Sequence, residues 1–312
     1  MNLQLDIRKN ILQQFAQQLQ LPIEGNRLAA HTPSLQGEIG FHVYPNGLEF
    51  YHFTFQLHQT FYLTAKNPID SEWLLLNINL SKNQIEKRVN DQTLTFQKYL
   101  PTGILFYTPQ TIVSSVSPPG QHFEIVLLRL PKSFFQHYFD QEIPLLTQTD
   151  RAILYEDLDY QSEGFLNMAI AQLAQNPLQT HAQLLSFLAS CVEKLRQRQR
   201  APQYEHLHPQ DLKGLFLAAA HLRNPLIDQT PSIKMLATVA GMGSSKFKAT
   251  FKQVFGSPPI QYHQKIKMDY AFQQLRTDRK SPSELSYELG YSHPSKFTLA
   301  FKKQFGILPS AV

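Results

Sequence analysis

KFKATFKQVFGSPP at 246–259 and KFTLAFKKQFGILP at 296–309 are two copies of one pattern, fifty residues apart. Seven of the fourteen positions are identical: Lys246/Lys296, Phe247/Phe297, Phe251/Phe301, Lys252/Lys302, Phe255/Phe305, Gly256/Gly306 and Pro259/Pro309. Each copy sets three Phe at i, i+4 and i+8, which is one face of a helix. A Gly follows at the position where a helix ends in the left-handed conformation. The lysines fall on the other faces. A short basic helix with an apolar back, present twice, suits a chain that reads DNA at two successive places.

The flanks repeat as well. Pro231-Ser232 caps a helix that runs to about Ala240, Gly241-Met242-Gly243 turns the chain, and Ser244 is an N-cap candidate for the helix ending at Phe255. Pro258 or Pro259 opens a long helix, IQYHQKIKMDYAFQQLR, ending near Thr277. Ser281-Pro282 then starts a helix to Leu289, Gly290-Tyr291-Ser292 turns, and Pro294 begins the last full helix, through Phe305. A further helix precedes all of these, from His208-Pro209 to about Asn224. The order is helix-turn-helix, connector, helix-turn-helix. A connector of about eighteen residues spans roughly 27 Å at about 1.5 Å per residue. That sets the two second helices about one DNA turn apart, each in a major groove about 12 Å wide.

LGYSHPSKFTLAFKKQFGILP, LATVAGMGSSKFKATFKQVFGSPPIQY and the connector YHQKIKMDYAFQQLR resemble the DNA-binding domain of the AraC/XylS family of bacterial transcription regulators. The resemblance covers about residues 210–310, with Lys267 where the family more often has Arg. It implies double-stranded DNA as a partner, contacted in two successive major grooves, and RNA polymerase as a second partner. By matching positions, the base readers would be Ser245, Lys248 and Ala249, then Ser295, Thr298 and Leu299. Lys246, Lys252, Lys296, Lys302 and Lys303 would hold phosphates, while Ser244 and Pro294 complete the outward faces. No Arg lies in either helix, which speaks against guanine readout through a planar fork.

Charge follows the same division. Pro209 to Val312 holds fourteen Lys/Arg and six Asp/Glu, leaving fifteen and eighteen in the rest of the 312 residues. A basic third on a mildly acidic remainder points to a polyanion. One cysteine, Cys191, excludes a disulfide framework and fits a reducing cytoplasm. Asp6, Arg8 and Lys9 interrupt any signal-peptide core, and no apolar run approaches a membrane span.

The N-terminal half reads differently. Residues 1 to about 30 suggest an amphipathic helix through Leu5, Ile7, Ile11, Leu12, Phe15 and Leu19. From Gly37 to Leu130 about eight short runs alternate in polarity, from GEIGFHVYP to HFEIVLLRL, with turns such as Pro45-Asn46-Gly47 and Pro118-Pro119-Gly120. The pattern predicts a β-sandwich or small barrel, able to enclose one small ligand. In strand pattern and domain order it is similar to the family's cupin-like sensory domain. GMGSSKFKATFKQVFG and PNGLEFYHFTFQLH are similar to the family's siderophore-responsive branch. Glu49, Tyr51, Phe53 and Phe55 alternate with Phe50, His52, Thr54 and Gln56, and parity alone leaves open which set faces inward. Pro131 to Phe139 reads as a short helix. Leu184, Leu185, Leu188, Cys191, Val192 and Leu195 form a helical stripe, for burial on the barrel or for a homodimer through 178–198.

The fold class is therefore α+β and multidomain. Residues 1–150 form a cupin-like sensory domain with an N-terminal helix, 151–207 a helical dimerisation or linker region, and 208–312 the DNA-binding domain. His42, His52 and His58 lack the His-x-His spacing of a cupin metal site, and no catalytic signature appears, so neither metal, cofactor nor enzyme activity is expected. The expected function is a regulator, an activator as in most such relatives, whose N-terminal domain senses a small molecule or dimerises. A packed barrel without a cavity would favour a ligand-independent regulator. Bound metal would favour a cupin enzyme with an appended DNA-binding domain.

Overall fold

The computed structural model describes the chain except residues 82, 84, 91, 97–102, 139–152, 157, 159, 201–208, 227–229, 256 and 277–279. Both expected domain boundaries, at 150/151 and 207/208, lie outside the described residues. The chain forms two compact units. One comprises Met1–Leu158 with Phe165–Leu195, and the other Asp159–Gly164 with Arg196–Val312.

The first unit begins with β1 (Asn2–Asp6), α1 (Ile11–Leu19), β2 (Arg27–His31), β3 (Leu35–Val43), β4 (Glu49–Leu57), β5 (Phe61–Asn67) and β6 (Trp73–Asn79). It continues with β7 (Ile85–Val89), β8 (Gln92–Phe96), β9 (Ile104–Tyr107), β10 (Thr111–Ser117), β11 (His122–Pro131), α2 (Lys132–Tyr138) and β12 (Ile153–Glu156). Two helices follow, α3 (Tyr160–Gln172) and α4 (Pro177–Arg200), of which Phe165 onward and the part up to Leu195 belong to this unit. The strands make a five-stranded sheet, β1-β5-β10-β7-β8, and a seven-stranded one, β12-β9-β6-β11-β4-β3-β2. Among the described residues the end strands of neither sheet pair with each other. The region is an open sandwich, and the closed-barrel form of the expectation is not what the strand order shows.

The N-terminal expectation needs correction. Residues 2–6 are a strand parallel to β5, 27–31 are a strand, and only 11–19 are helical. Leu3, Leu5 and Ile7 are buried at a period of two, the strand period. Apolar neighbours downstream, at helical spacing, mask that alternation in the sequence. β7 and β12 also escaped the sequence reading. In β7, Ile85, Lys87 and Val89 all face inward, and a lysine inside hides the alternation.

The sandwich fixes the parity of β4. Tyr51, Phe53, Phe55 and Leu57 face the space between the sheets, whereas Phe50 faces the helices. The seven-stranded sheet is thus covered on both sides, which is why its strands carry near-continuous apolar runs such as Leu74-Leu75-Leu76. Its outer face packs against Leu166 and Ala169 of α3 and Leu184, Phe187, Leu188, Cys191 and Val192 of α4. Leu184, Leu188, Cys191 and Val192 of the helical stripe are therefore buried in their own chain and Leu185 is half-buried, while the Leu195 side chain lies outside the described residues. A homodimer through 178–198 would have to use other residues, of which Leu178 is 80% exposed. No helix among the described residues is long and apolar enough to cross a membrane.

The second unit is helical: α5 (Pro209–Ala220), α6 (Ile233–Val239), α7 (Ser244–Phe255), α8 (Pro259–Arg276), α9 (Pro282–Glu288) and α10 (Pro294–Phe305). It holds two cores. Phe247 and Phe251 pack with Leu215, Leu222 and Leu236 in one, and Phe297 and Phe301 with Met268, Leu275 and Leu285 in the other. Gly214 on α5 is required by a close approach, since a Cβ there would lie 2.2 Å from the Ala240 carbonyl oxygen.

Candidate nucleic-acid interface

Each helix-turn-helix is held by local backbone chemistry that recurs. The Ser232 hydroxyl accepts from the Met235 N–H at 3.2 Å and so caps α6. Ser281 caps α9 in the same way, and Glu284 accepts in return from the Ser281 N–H at 2.7 Å, completing a capping box. The first turn closes with Gly241 N–H donating to Thr238 O and Met242 N–H to Ala237 O. The second closes with Gly290 N–H donating to Tyr287 O and Tyr291 N–H to Ser286 O. The helices that follow start fifty residues apart, but the turn bonds recur at forty-nine. The second turn therefore carries one extra residue. Ser244 is the first residue of α7 rather than its cap, while Pro294 starts α10 as expected. Gly306 ends α10 in the left-handed conformation, φ 75°. Its counterpart Gly256 lies outside the described residues.

The connector α8 is bonded to both units. His263 Nδ1 donates to the Leu222 carbonyl at 2.6 Å, and Arg223 Nε donates to the Tyr262 hydroxyl at 3.2 Å. Toward the second unit, Lys267 Nζ donates to the Leu289 carbonyl at 2.9 Å, and the Gln264 amide donates to the Tyr291 hydroxyl. Lys267 thus places its charge at the C-terminal end of α9, where the orphan carbonyls favour a cation. A single ammonium suffices there, which accounts for Lys in a position where a fork is unnecessary. Burial lowers the pKa of both His263 and Lys267 below their ordinary values.

The outward face of α7 carries Ser244, Ser245, Lys246, Lys248, Ala249 and Lys252, all exposed. On α10, Ser295, Lys296, Leu299, Lys302 and Lys303 are exposed, and Pro294 and Thr298 are half-buried. Leu299 is 72% exposed, an apolar side chain left in water on a helix whose apolar back is already filled. Lys246 differs from the other lysines because it is paired with Asp211 of α5 at 2.8 Å. Among the described residues Lys248, Lys252, Lys302 and Lys303 have no acidic partner, and Lys296 reaches only the Ser292 hydroxyl, at 3.4 Å. Exposed residues that the lysine repeat does not mark lie on the first helices: Lys234 and Met235 on α6, and Tyr287 on α9, 64% exposed. The signal was present, since each is an off-face residue in a short helix preceding a turn, the helix that crosses the DNA backbone in such a pair.

Two helix-turn-helix units bridged by one helix, each presenting a polar, lysine-bearing second helix, define a double helix-turn-helix DNA-binding domain. Residues 236–312 match the family model described as a helix-turn-helix domain. The chain is 28% identical over 99 residues to the HTH-type transcriptional regulator AlkR of Acinetobacter baylyi, covering 32% of this chain and 31% of the relative. It is 34% identical over 70 residues to the virulence regulon transcriptional activator VirF of Yersinia enterocolitica, covering 22% of this chain and 26% of the relative. A crystal structure of an AraC-type regulator from Chromobacterium violaceum aligns with 33% of this chain and 92% of its own, at 23% identity and a TM-score of 0.30. The C-terminal third of the chain contains a helix-turn-helix domain and is similar to the corresponding part of these transcription regulators. The relatives are transcription regulators, not enzymes, and the match spans about a third of their length or less.

Proposed function

We propose that this protein is a cytoplasmic, sequence-specific transcription regulator that lays α7 and α10 in two successive major grooves of DNA. The repeated exposed face on the two second helices, held apart by a connector bonded to both units, carries this reading. Ser245, Lys248, Ala249, Ser295, Thr298 and Leu299 are its base readers. Lys can reach guanine N7 and O6, Ser and Thr can bond several bases, and Ala, Leu and the Thr methyl fit a thymine methyl. Lys252, Lys302 and Lys303 bind phosphates, as do Lys246, once released from Asp211, and Lys296. Activation is the sign of regulation we assign, the role in the name of the relative VirF.

The N-terminal sandwich is the sensory part. Between its sheets lies a cavity of about 110 Å³, lined mostly by Phe53, Phe55, Phe61, Phe123 and aliphatic side chains, with a few polar residues among them. One water needs only about 10–15 Å³ on that measure. A cavity favours an effector over a purely dimerising domain. The effector would act by binding a DNA-competent arrangement better than its alternative.

Base readers and phosphate holders respond differently to truncation. Lys248→Ala should relax preference at one base pair by about 1–3 kcal/mol, leaving other positions unchanged. Lys252→Ala should weaken all sequences alike and lower the salt slope by about one. Binding measured on a set of single-base operator variants separates the two. Uniform weakening by Lys248→Ala would remove it from the readers.

A further inference from the structure

Inside the sandwich one side chain contradicts its surroundings. Lys87 lies on β7 between Ile85 and Val89, points into the cavity and is 3% exposed. Among the described residues lining that cavity it is the only charged one, and Tyr107 is the only other titratable one. No described residue offers it a carboxylate or a hydrogen bond. Its ammonium sits over the ring of Phe96, 4.1 Å from the centroid, with the Tyr107 ring at 5.9 Å. Ser115 of β10 is its cross-strand neighbour, and Leu94 of β8 is its partner on the other side. Glu86 and Arg88 alternate with it along β7 and are exposed. The Tyr107 hydroxyl is buried without a hydrogen-bond partner, and so are the side-chain oxygens of Asn67 and Asn77, which line the same cavity.

An isoleucine at position 87 would continue the pattern of β7 without cost. A buried ammonium without an anion loses its hydration, and aromatic faces return only part of that loss. Among the described residues, what is missing is a negative charge beside the nitrogen and an acceptor for the Tyr107 hydroxyl. Both are supplied by one group. We propose that the cavity takes a compact apolar molecule with a single anionic head, the head set against Lys87 and the Tyr107 hydroxyl and the body against the phenylalanines of β4, β5 and β11. This deepens the effector reading given above and rests on it. The orphan oxygens of Asn67 and Asn77 accept from entering water or from a hydroxyl on the ligand.

Protonation couples to binding. Burial pushes the Lys87 pKa down to about 7, so in the free protein the amine carries its charge only in part at neutral pH. An anion raises that pKa in the complex. Affinity for an anion that stays ionised is therefore full below about pH 7. Above it, affinity falls by up to about tenfold per pH unit, until the pH reaches the pKa of the complex.

Calorimetry on the full-length protein tests this with 4-phenylbutyrate and octanoate, each beside its alcohol, 4-phenylbutan-1-ol and octan-1-ol. The acids should bind the wild type at least about tenfold more tightly than Lys87→Met, which keeps the stem and removes the charge. The alcohols should bind both proteins alike. Tyr107→Phe should weaken the acids severalfold, and the wild-type pH profile tests the same claim without any substitution. If the alcohols bind while the acids show neither Lys87 nor pH dependence, the anionic head is wrong and the effector cavity stands. If neither acids nor alcohols bind, both fail.

Discussion

Arg129→Met should cost the N-terminal sandwich about 3–5 kcal/mol, the range for removing one partner of a buried ion pair. Arg129 is 3% exposed and Glu49 is 7% exposed. Arg129 Nη1 donates to Glu49 Oε1 at 2.7 Å, Nε to the Ile7 carbonyl at 2.9 Å, and Nη2 to the Arg8 carbonyl at 3.0 Å. Its guanidinium also lies over the Trp73 ring, 3.4 Å from the centroid. One side chain thus ties the loop after β1 to the seven-stranded sheet. Without it, Glu49 keeps the Tyr51 hydroxyl, which donates at 2.6 Å, and no cation. Replacing both charges by apolar residues should recover part of the loss, because the uncompensated carboxylate accounts for much of it. Trp73 is the only tryptophan in the chain, so urea unfolding followed by its fluorescence reports on this region. A change in unfolding free energy below about 1 kcal/mol would show that the cluster is not the clamp described here.

Phe301→Ala should have an effect of the same size with a sharper address. The ring is fully buried and lies 5.8 Å from Phe297 and 4.8 Å from Phe305 between centroids. Truncation of a core Phe costs about 3–5 kcal/mol. The two helix-turn-helix cores share no residue, so the damage should stay local. Amide exchange should speed up across α9 and α10 while α6 and α7 keep their protection. Phe251→Ala should produce the converse. Equal acceleration in both units would mean that the domain opens as one body. DNA contacts should divide in the same manner, with Phe301→Ala losing the block read by α10.

The C-terminal half was legible almost residue by residue because its signals are local. Phe spacing, Ser-Pro caps, and the glycines at 241, 290 and 306 each specify a helix face or a turn within a few residues. The forty-nine-residue recurrence of the turns is visible in the positions of Gly241 and Gly290, beside the stronger fifty-residue repeat. The ion pair of Lys246 with Asp211 joins residues thirty-five apart, and nothing local announces it. The sandwich was legible as strands and not as topology. Which sheet a strand joins depends on long-range pairing, such as Asn2 with Tyr62, that no local pattern encodes. The cavity and its lysine were illegible for a related reason. Lys87 looks like an ordinary outward residue until β10 and β9 place Ser115 and Tyr107 around it. The stripe on α4 is legible as apolar, and only the packing decides that the sandwich covers Leu184, Leu188, Cys191 and Val192.

Two recognition helices in one chain should read one asymmetric site. Selection of binding sites from random duplex DNA, with the purified full-length protein at near-physiological salt, tests that directly. The expected result is a non-palindromic motif with two blocks about ten base pairs apart, from which Phe301→Ala deletes one block. If no motif is enriched, with or without added cell extract, or if the motif is one symmetric block, the two-helix reading is contradicted.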